Sequence, residues 1–235
     1  LVHSIEGNTR RAIAFYEQDP IQAEKNAEKF FNRRLKKADA KEPIYTKNQE
    51  SGMLPERVVS TSKKVIAVYP TTDDEYKFIG KEWNGYIPED QVAEIEQLIQ
   101  HLPADDYLIV VKMHPNQQHT AENTIARYAA LAEKYPHVVV EKPLSPKDTY
   151  ALMQRADSVV VFASTIGMEA CYAQKPVVLI GDTTWGEMNL AYKVYSGGEA
   201  AELIKTNPEP KPLLGAIMWG NYYDAYKDPL PALSV

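Results

Sequence analysis

Residues 156–181 read ADSVVVFASTIGMEACYAQKPVVLIG. Ala156, Asp157 and Ser158 lead into an unbroken apolar run from Val159 to Ala163, short, rich in β-branched residues and without polar alternation. A strand with one wet face alternates in polarity, whereas an unbroken run of this length fits a parallel strand buried on both faces. Ser164, Thr165 and Gly167 follow at once, Met168 to Ala173 reads as a helix, and Pro176 to Ile180 is a second buried strand closed by Gly181 and Asp182. Strand, small polar turn, helix and strand make one βαβ unit. Its turn lies at the carboxyl end of the strand, the rim where open parallel sheets bind ligands. Backbone N–H groups at a helix start favour an anion there, and Ser164 and Thr165 add hydroxyl donors without charge. The same two residues serve equally well as an ordinary helix cap.

Working outward, Val65 to Tyr69, Tyr107 to Met113 and Val138 to Val140 read as further buried strands, separated by helical patterns near 88–102, 120–134 and 145–155. Five strands alternating with helices predict an α/β protein, a Rossmann-like parallel sheet flanked by helices, over residues 63–205. Residues 1–62 form a helical segment and linker. Within them Asp19-Pro20-Ile21-Gln22 gives a capping residue followed by proline at the first helical position. Ala23, Ala27, Phe30, Phe31 and Leu35 then share one face of an amphipathic helix expected over 20–37. Phe30 and Phe31 are expected to be packed rather than exposed. Arg33, Arg34, Lys36 and Lys37 suit the carboxyl end of that helix, with phosphate binding as the alternative. After Gly181 a helical piece is expected near Glu187–Lys193 and a short helix over Glu199–Ile204. Residues 206–235 mix Pro208, Pro210, Pro212, Pro229 and Pro231 with Trp219, Tyr222, Tyr223 and Tyr226, and are expected to be an irregular carboxyl-terminal tail.

Composition narrows the function. The chain has 235 residues, 44% hydrophobic and 25% charged, with a net charge of −6, which argues against nucleic acid as a partner. No stretch approaches the roughly 18 apolar residues of a membrane-spanning helix. The single cysteine, Cys171, sits among Met, Ala and Tyr and reads as a core residue in a reducing compartment. The first residue is Leu1, which reads as a piece of something longer.

Chemistry emerges when the strand ends are compared. Three strands end in polar turns, Thr71-Thr72-Asp73-Asp74-Glu75, His114-Pro115-Asn116 and Ser164-Thr165. In a parallel sheet all carboxyl ends lie on one rim, so these turns converge there. Hydroxyls, an imidazole and an amide suit a diphosphate or phosphodiester. The candidate phosphate-binding residues are Thr71, Thr72, His114, Asn116, Ser164, Thr165 and Gly167. No G-x-G-x-x-G or G-x-x-x-x-G-K-[ST] motif occurs, and no G-x-S-x-G elbow surrounds Ser164. The five histidines offer no zinc pair at helical spacing. Asp73, Asp74 and Glu75 are better placed to cap a segment or meet sugar hydroxyls than to hold Mg²⁺, so no metal and no cofactor are expected.

The pattern Y-P-T-T-D-D-E-Y at 69–76 with G-K-E-W at 80–83, V-V-K-M-H-P-N at 110–116, A-D-S-V-V-V-F-A-S-T-I-G-M-E-A at 156–170 and K-P-V-V at 175–178 resembles bacterial capsule and surface-polysaccharide glycosyltransferases of the GT-B fold. The resemblance covers roughly 65–192 and implies one half of a GT-B fold, the carboxyl-terminal half that binds a nucleotide sugar. In related sialyl- and Kdo-transferases an H-P histidine and a Ser/Thr pair hold the donor phosphate, which implies His114 as the catalytic residue with Ser164 and Thr165 beside it. The family's acidic residue in the following helix corresponds to Glu169, implied to bind ribose or sugar hydroxyls. The implied partners are a nucleotide-activated sugar, a glycan or lipid-linked acceptor and an amino-terminal acceptor domain, with a cytoplasmic location or one peripheral to the inner face of the membrane. The same features are similar to those of glycerophosphotransferases of teichoic-acid synthesis. A sugar-nucleotide epimerase and a non-catalytic binding module are the other readings.

Overall fold

The apolar runs lie side by side. A computed structural model describes residues 5–36, 46, 48–72 and 87–226. In it β1 (Lys64–Tyr69), β2 (Tyr107–Lys112), β3 (Val138–Glu141), β4 (Ser158–Val161), β5 (Val177–Ile180) and β6 (Tyr192–Val194) form one sheet. The spatial order is β3-β2-β1-β4-β5-β6, and every neighbouring pair is parallel. The helices are α1 (Ile5–Gln18), α2 (Pro20–Leu35), α3 (Glu56–Ser60), α4 (Gln91–His101), α5 (Glu122–Lys134), α6 (Thr149–Arg155), α7 (Ile166–Tyr172), α8 (Gly197–Lys205) and α9 (Leu214–Tyr226). A 3₁₀ turn spans Pro115–His119. This is the α/β, Rossmann-like architecture that the strand and helix patterns predict.

Successive side chains on a strand point to opposite faces, and both faces here are covered, so the strands read as unbroken apolar runs. Val65, Ala67, Val110, Val159, Val161, Val177 and Leu179 pack on one side with Leu152 of α6, Met168 of α7, Phe31 of α2 and Trp219 of α9. Ile66, Val68, Ile109, Val111, Val160, Val178 and Ile180 pack on the other with Ile95 of α4, Leu131 of α5 and Ile204 of α8.

Two expectations are corrected. The helical piece expected at Glu187–Lys193 is a series of turns leading into the sixth strand, Tyr192–Val194, which pairs with β5. Three half-buried residues carry no periodicity, and the preceding turns are held by buried Trp185 and Leu190 instead of by a helical stripe. The tail expected to be irregular contains α9, whose Trp219 and Tyr222 are buried against α1 and α2. Aromatic residues and glycines are weak helix formers, so this helix exists through its packing. Asn26 donates to Asn221 at 2.9 Å, Tyr222 donates to Asn8 at 3.0 Å and Arg33 pairs with Asp224. Residues 227–235, with Pro229 and Pro231, lie outside the described residues.

Phe30 and Phe31 are both buried, as their position on α2 predicts. Asp19 caps α2 by accepting from the Gln22 N–H at 3.0 Å, with Pro20 at the first helical position. Phe31 stacks on Tyr172 of α7 at 4.2 Å, and α9 approaches so closely that a Cβ on Gly220 would lie 2.7 Å from the Phe31 ring.

Gly220→Val is therefore expected to cost about 1–3 kcal/mol by overpacking. Gly198→Ala on α8 is expected to be neutral or slightly stabilising, because its added Cβ meets only side-chain atoms at 3.8 Å and beyond. Urea unfolding of both variants checks the contrast.

A second expectation concerns His137, buried at the start of β3. Burial pushes its imidazole below the ordinary 6.5, and the charges of Lys63 and Arg57 push the same way, against the Ile99 carbonyl. The folded state thus binds this proton less readily than the unfolded state. Stability from this residue is present above the ordinary histidine range and is lost as pH falls below about 6.5. The melting temperature is expected to fall between pH 7 and 5.5, with a shallower slope in His137→Phe.

Candidate functional site at the carboxyl rim

Strand β1 lies between β2 and β4. Val68 pairs with Val111 and Tyr69 with Val161, so the chain leaves all three strands at one level. Adjacent strands are roughly 4.8 Å apart, which puts the β2 and β4 exits roughly 10 Å from each other with the β1 exit between them.

The β1 exit is held by side-chain hydrogen bonds. Thr71 and Thr72 are buried, and the Thr71 N–H donates to the Gln91 side chain at 3.0 Å while the Gln91 amide donates back to the Thr71 carbonyl at 3.1 Å. Gln117 donates to the same carbonyl at 3.3 Å, which ties this exit to the β2 exit. Asp73, Asp74 and Glu75 lie outside the described residues.

At the β2 exit His114 heads the 3₁₀ turn. Its backbone N–H donates to the Gln117 side chain at 2.7 Å, and its Nδ1 accepts from the Asn116 N–H at 3.2 Å. An accepting Nδ1 carries no proton, so this hydrogen bond assigns the proton of the neutral ring to Nε2. The imidazole is thereby set as an N–H donor at the opposite nitrogen. His114 thus caps its own turn, and Asn116 contributes its backbone to that arrangement.

At the β4 exit the chain passes through Ala163 with φ of 66°, a left-handed conformation costing a non-glycine residue about 1–2 kcal/mol. Buried Thr183, just beyond β5, donates to the Ala163 carbonyl at 3.5 Å. The sharp bend presents Ser164 and Thr165, both partly exposed. A helix cap would accept an N–H two or three residues on. Thr165, at the cap position of α7, makes no such bond, and Ser164 makes no side-chain hydrogen bond among the described residues. The hydroxyls are not acting as caps. Gly167 is buried under Trp185, where an added Cβ would lie 2.8 Å from the indole, so its place is explained by close packing.

Glu169 stands one turn beyond Thr165 and is buried, 1% exposed. Arg34, from the last turn of α2, pairs with its carboxylate and donates to Thr165 Oγ1 at 3.2 Å. The Tyr150 side chain lies near Glu169 and favours its charged form. Burial raises the Glu169 carboxyl above its ordinary range, opposed by Arg34 and Tyr150. Burial disfavours the Arg34 charge, but Glu169 more than restores it. The rim thus brings together Thr71, Thr72, His114, Asn116, Ser164 and Thr165, while Gly167 and Glu169 sit beneath it. Tyr150, Gln91 and Gln117 escape a reading of the sequence. Arg34 reads as a helix-end charge with phosphate binding as the alternative, and no local signal links it to a residue 135 positions away.

Cys171 is buried and its thiol is pushed up to about 11 by burial, the behaviour of a core residue. Among the described residues no group of three His, Cys, Asp or Glu could hold a metal, and no helix is long and apolar enough to cross a membrane.

The family profile of UDP-N-acetylglucosamine 2-epimerase matches residues 87–207, more than half of the 235, and the chain belongs to that family. The β Kdo 2,4 transferase of Thermosulfurimonas dismutans KpsC superposes with a TM-score of 0.51 at 14% identity, over 85% of this chain and 55% of that one. S. aureus MnaA, in its structure with UDP, gives 0.48 at 16% identity over 76% and 46%. The wall teichoic acid polymerase TagF gives 0.43 at 17% over 78% and 42%. The likeness to the Kdo transferase shows the fold, one Rossmann-like half of the GT-B type. This chain spans about half the length of these structures. No curated protein matches the sequence significantly.

Proposed function

We propose that the carboxyl rim binds the phosphates of a nucleotide sugar, and that the enzyme it serves transfers the sugar to a glycan or lipid-linked acceptor in bacterial surface-polysaccharide synthesis, at the cytoplasmic face of the membrane. The observation that supports this most directly is the placing of an imidazole and two hydroxyls at strand exits two strands apart. His114 has its proton assigned to Nε2, and Ser164 and Thr165 carry hydroxyls that cap nothing. In the transfer the acceptor hydroxyl loses its proton to a base and its oxygen bonds to the sugar's anomeric carbon as the bond from that carbon to the phosphate oxygen breaks. The leaving nucleotide gains negative charge on that oxygen. Donors already aimed at the phosphate favour the transition state over the ground state, because nothing has to reorganise as the charge develops. The donor is a substrate, and the reading needs no cofactor.

Membership of the epimerase family favours a second reading, inversion at C2 of UDP-N-acetylglucosamine, on the same phosphate site. Incubating the full-length gene product with UDP-N-acetylglucosamine separates the two. A 2-epimer formed without acceptor supports the epimerase, and a glycosylated acceptor supports transfer.

The phosphate site itself is tested by calorimetric titration with UDP, CDP, CMP and GDP. His114→Asn retains an acceptor for the Asn116 N–H but removes Nε2. It is expected to weaken binding roughly 10- to 100-fold, as expected for one hydrogen bond to a charged group, with the melting temperature unchanged. Ser164→Ala is expected to act in the same direction by a smaller factor. Equal affinity in wild type and both variants would return these turns to a purely structural role.

A further inference from the structure

Arg34 comes from outside the Rossmann-like sheet unit and outside residues 87–207, yet its guanidinium reaches the rim. Its place is fixed from several directions. Glu169 accepts from its Nε, the Phe30 ring lies 5.5 Å from its Cζ, and α2 is held by the Asn26–Asn221 and Arg33–Asp224 contacts and by Phe31 stacked on Tyr172. Its Nη2 donates to Thr165 Oγ1. A hydroxyl has one hydrogen to give, and here a charged donor occupies a lone pair on its oxygen, so the hydrogen must point away from Arg34. Among the described residues the Thr165 hydroxyl donates to nothing.

We propose that Arg34 is a positioning residue for the anion site: it orients the Thr165 hydroxyl as a donor to a ligand phosphate, and so makes nucleotide affinity depend on how α2 is docked. Glu169 has the complementary role of holding the guanidinium flat against α7. Glu169 is buried, and its carboxylate holds Arg34 Nε, so it anchors the arrangement from below the rim. This rests on the reading that Thr165 meets a phosphate.

The test is a double-mutant cycle on the whole chain, read by calorimetric titration with UDP and by thermal melting. Removing Arg34 alone would strand a buried carboxylate, so the background variant is R34M together with E169Q, which removes both charges. T165V is then made in the wild type and in that background. If Arg34 acts through Thr165, T165V costs about tenfold in UDP affinity in the wild type and less than twofold in the background, because the hydroxyl there is already unoriented. Any direct contribution of Glu169 cancels in this comparison. R34K keeps the charge but not the planar fork. It is expected to lose affinity about threefold or more without a change in melting temperature, which keeps the test open if the background variant folds poorly.

An equal cost of T165V in both backgrounds overturns the proposal, as does wild-type affinity in R34K with the full T165V cost retained. If His114→Asn still weakens UDP binding in those cases, the phosphate site stands and only the role of Arg34 falls. If the wild type binds none of UDP, CDP, CMP and GDP, both fall together.

Discussion

Strand β1 hydrogen-bonds in parallel to β2 on one side and to β4 on the other, and the placement of the site follows from that register. A parallel pair cannot be closed by a tight hairpin, so each strand must hand the chain to a crossover, and all such exits fall on one rim. Three polar exits thereby become neighbours although Thr71 and Ser164 are far apart along the chain. The exits are then tied together. Gln117 bridges the β1 and β2 turns, and the Phe162 N–H reaches the Tyr69 carbonyl at 3.4 Å between β4 and β1.

Local strain and burial at the β4 exit point the same way. Ala163 adopts a left-handed conformation that a non-glycine side chain disfavours, and such residues persist only where surrounding contacts hold them. Here the bend presents two hydroxyls outward and sends α7 back across the sheet. Directly beneath, the Arg34–Glu169 pair is nearly dry. A buried ion pair is weak evidence for stability, since desolvation offsets much of its attraction. It does impose geometry, because neither partner can move without leaving the other uncompensated.

Much of this was legible in the sequence, and the reasons for the misses are physical. Val65–Tyr69, Tyr107–Met113 and Val159–Ala163 are unbroken apolar runs because both sheet faces are covered, and such runs announce themselves. Tyr192–Val194 is an edge strand of three half-buried residues, too short for any period to show. Leu214–Tyr226 carries Trp219, Tyr222 and Tyr223 among glycines, a composition that conceals a helix whose stability lies in its contacts with Phe31 and Asn26. His114, Ser164 and Thr165 were recognisable as strand-end residues. That the hydroxyls are not caps, and that Nδ1 of His114 is engaged, depends on the folded geometry of the two turns. Arg34 reads from the sequence as a helix-end charge with phosphate binding as the alternative, and its pairing with Glu169 and Thr165 is hidden because those partners lie more than 130 positions away.

A crystal structure of the chain with UDP tests the central claim most directly. The account predicts a phosphate oxygen within hydrogen-bonding distance of His114 Nε2, and another within reach of the Ser164 and Thr165 hydroxyls, with the diphosphate lying across the β1 exit. A nucleotide seated elsewhere, or a rim in which His114 turns its ring and releases the Asn116 N–H, would contradict it.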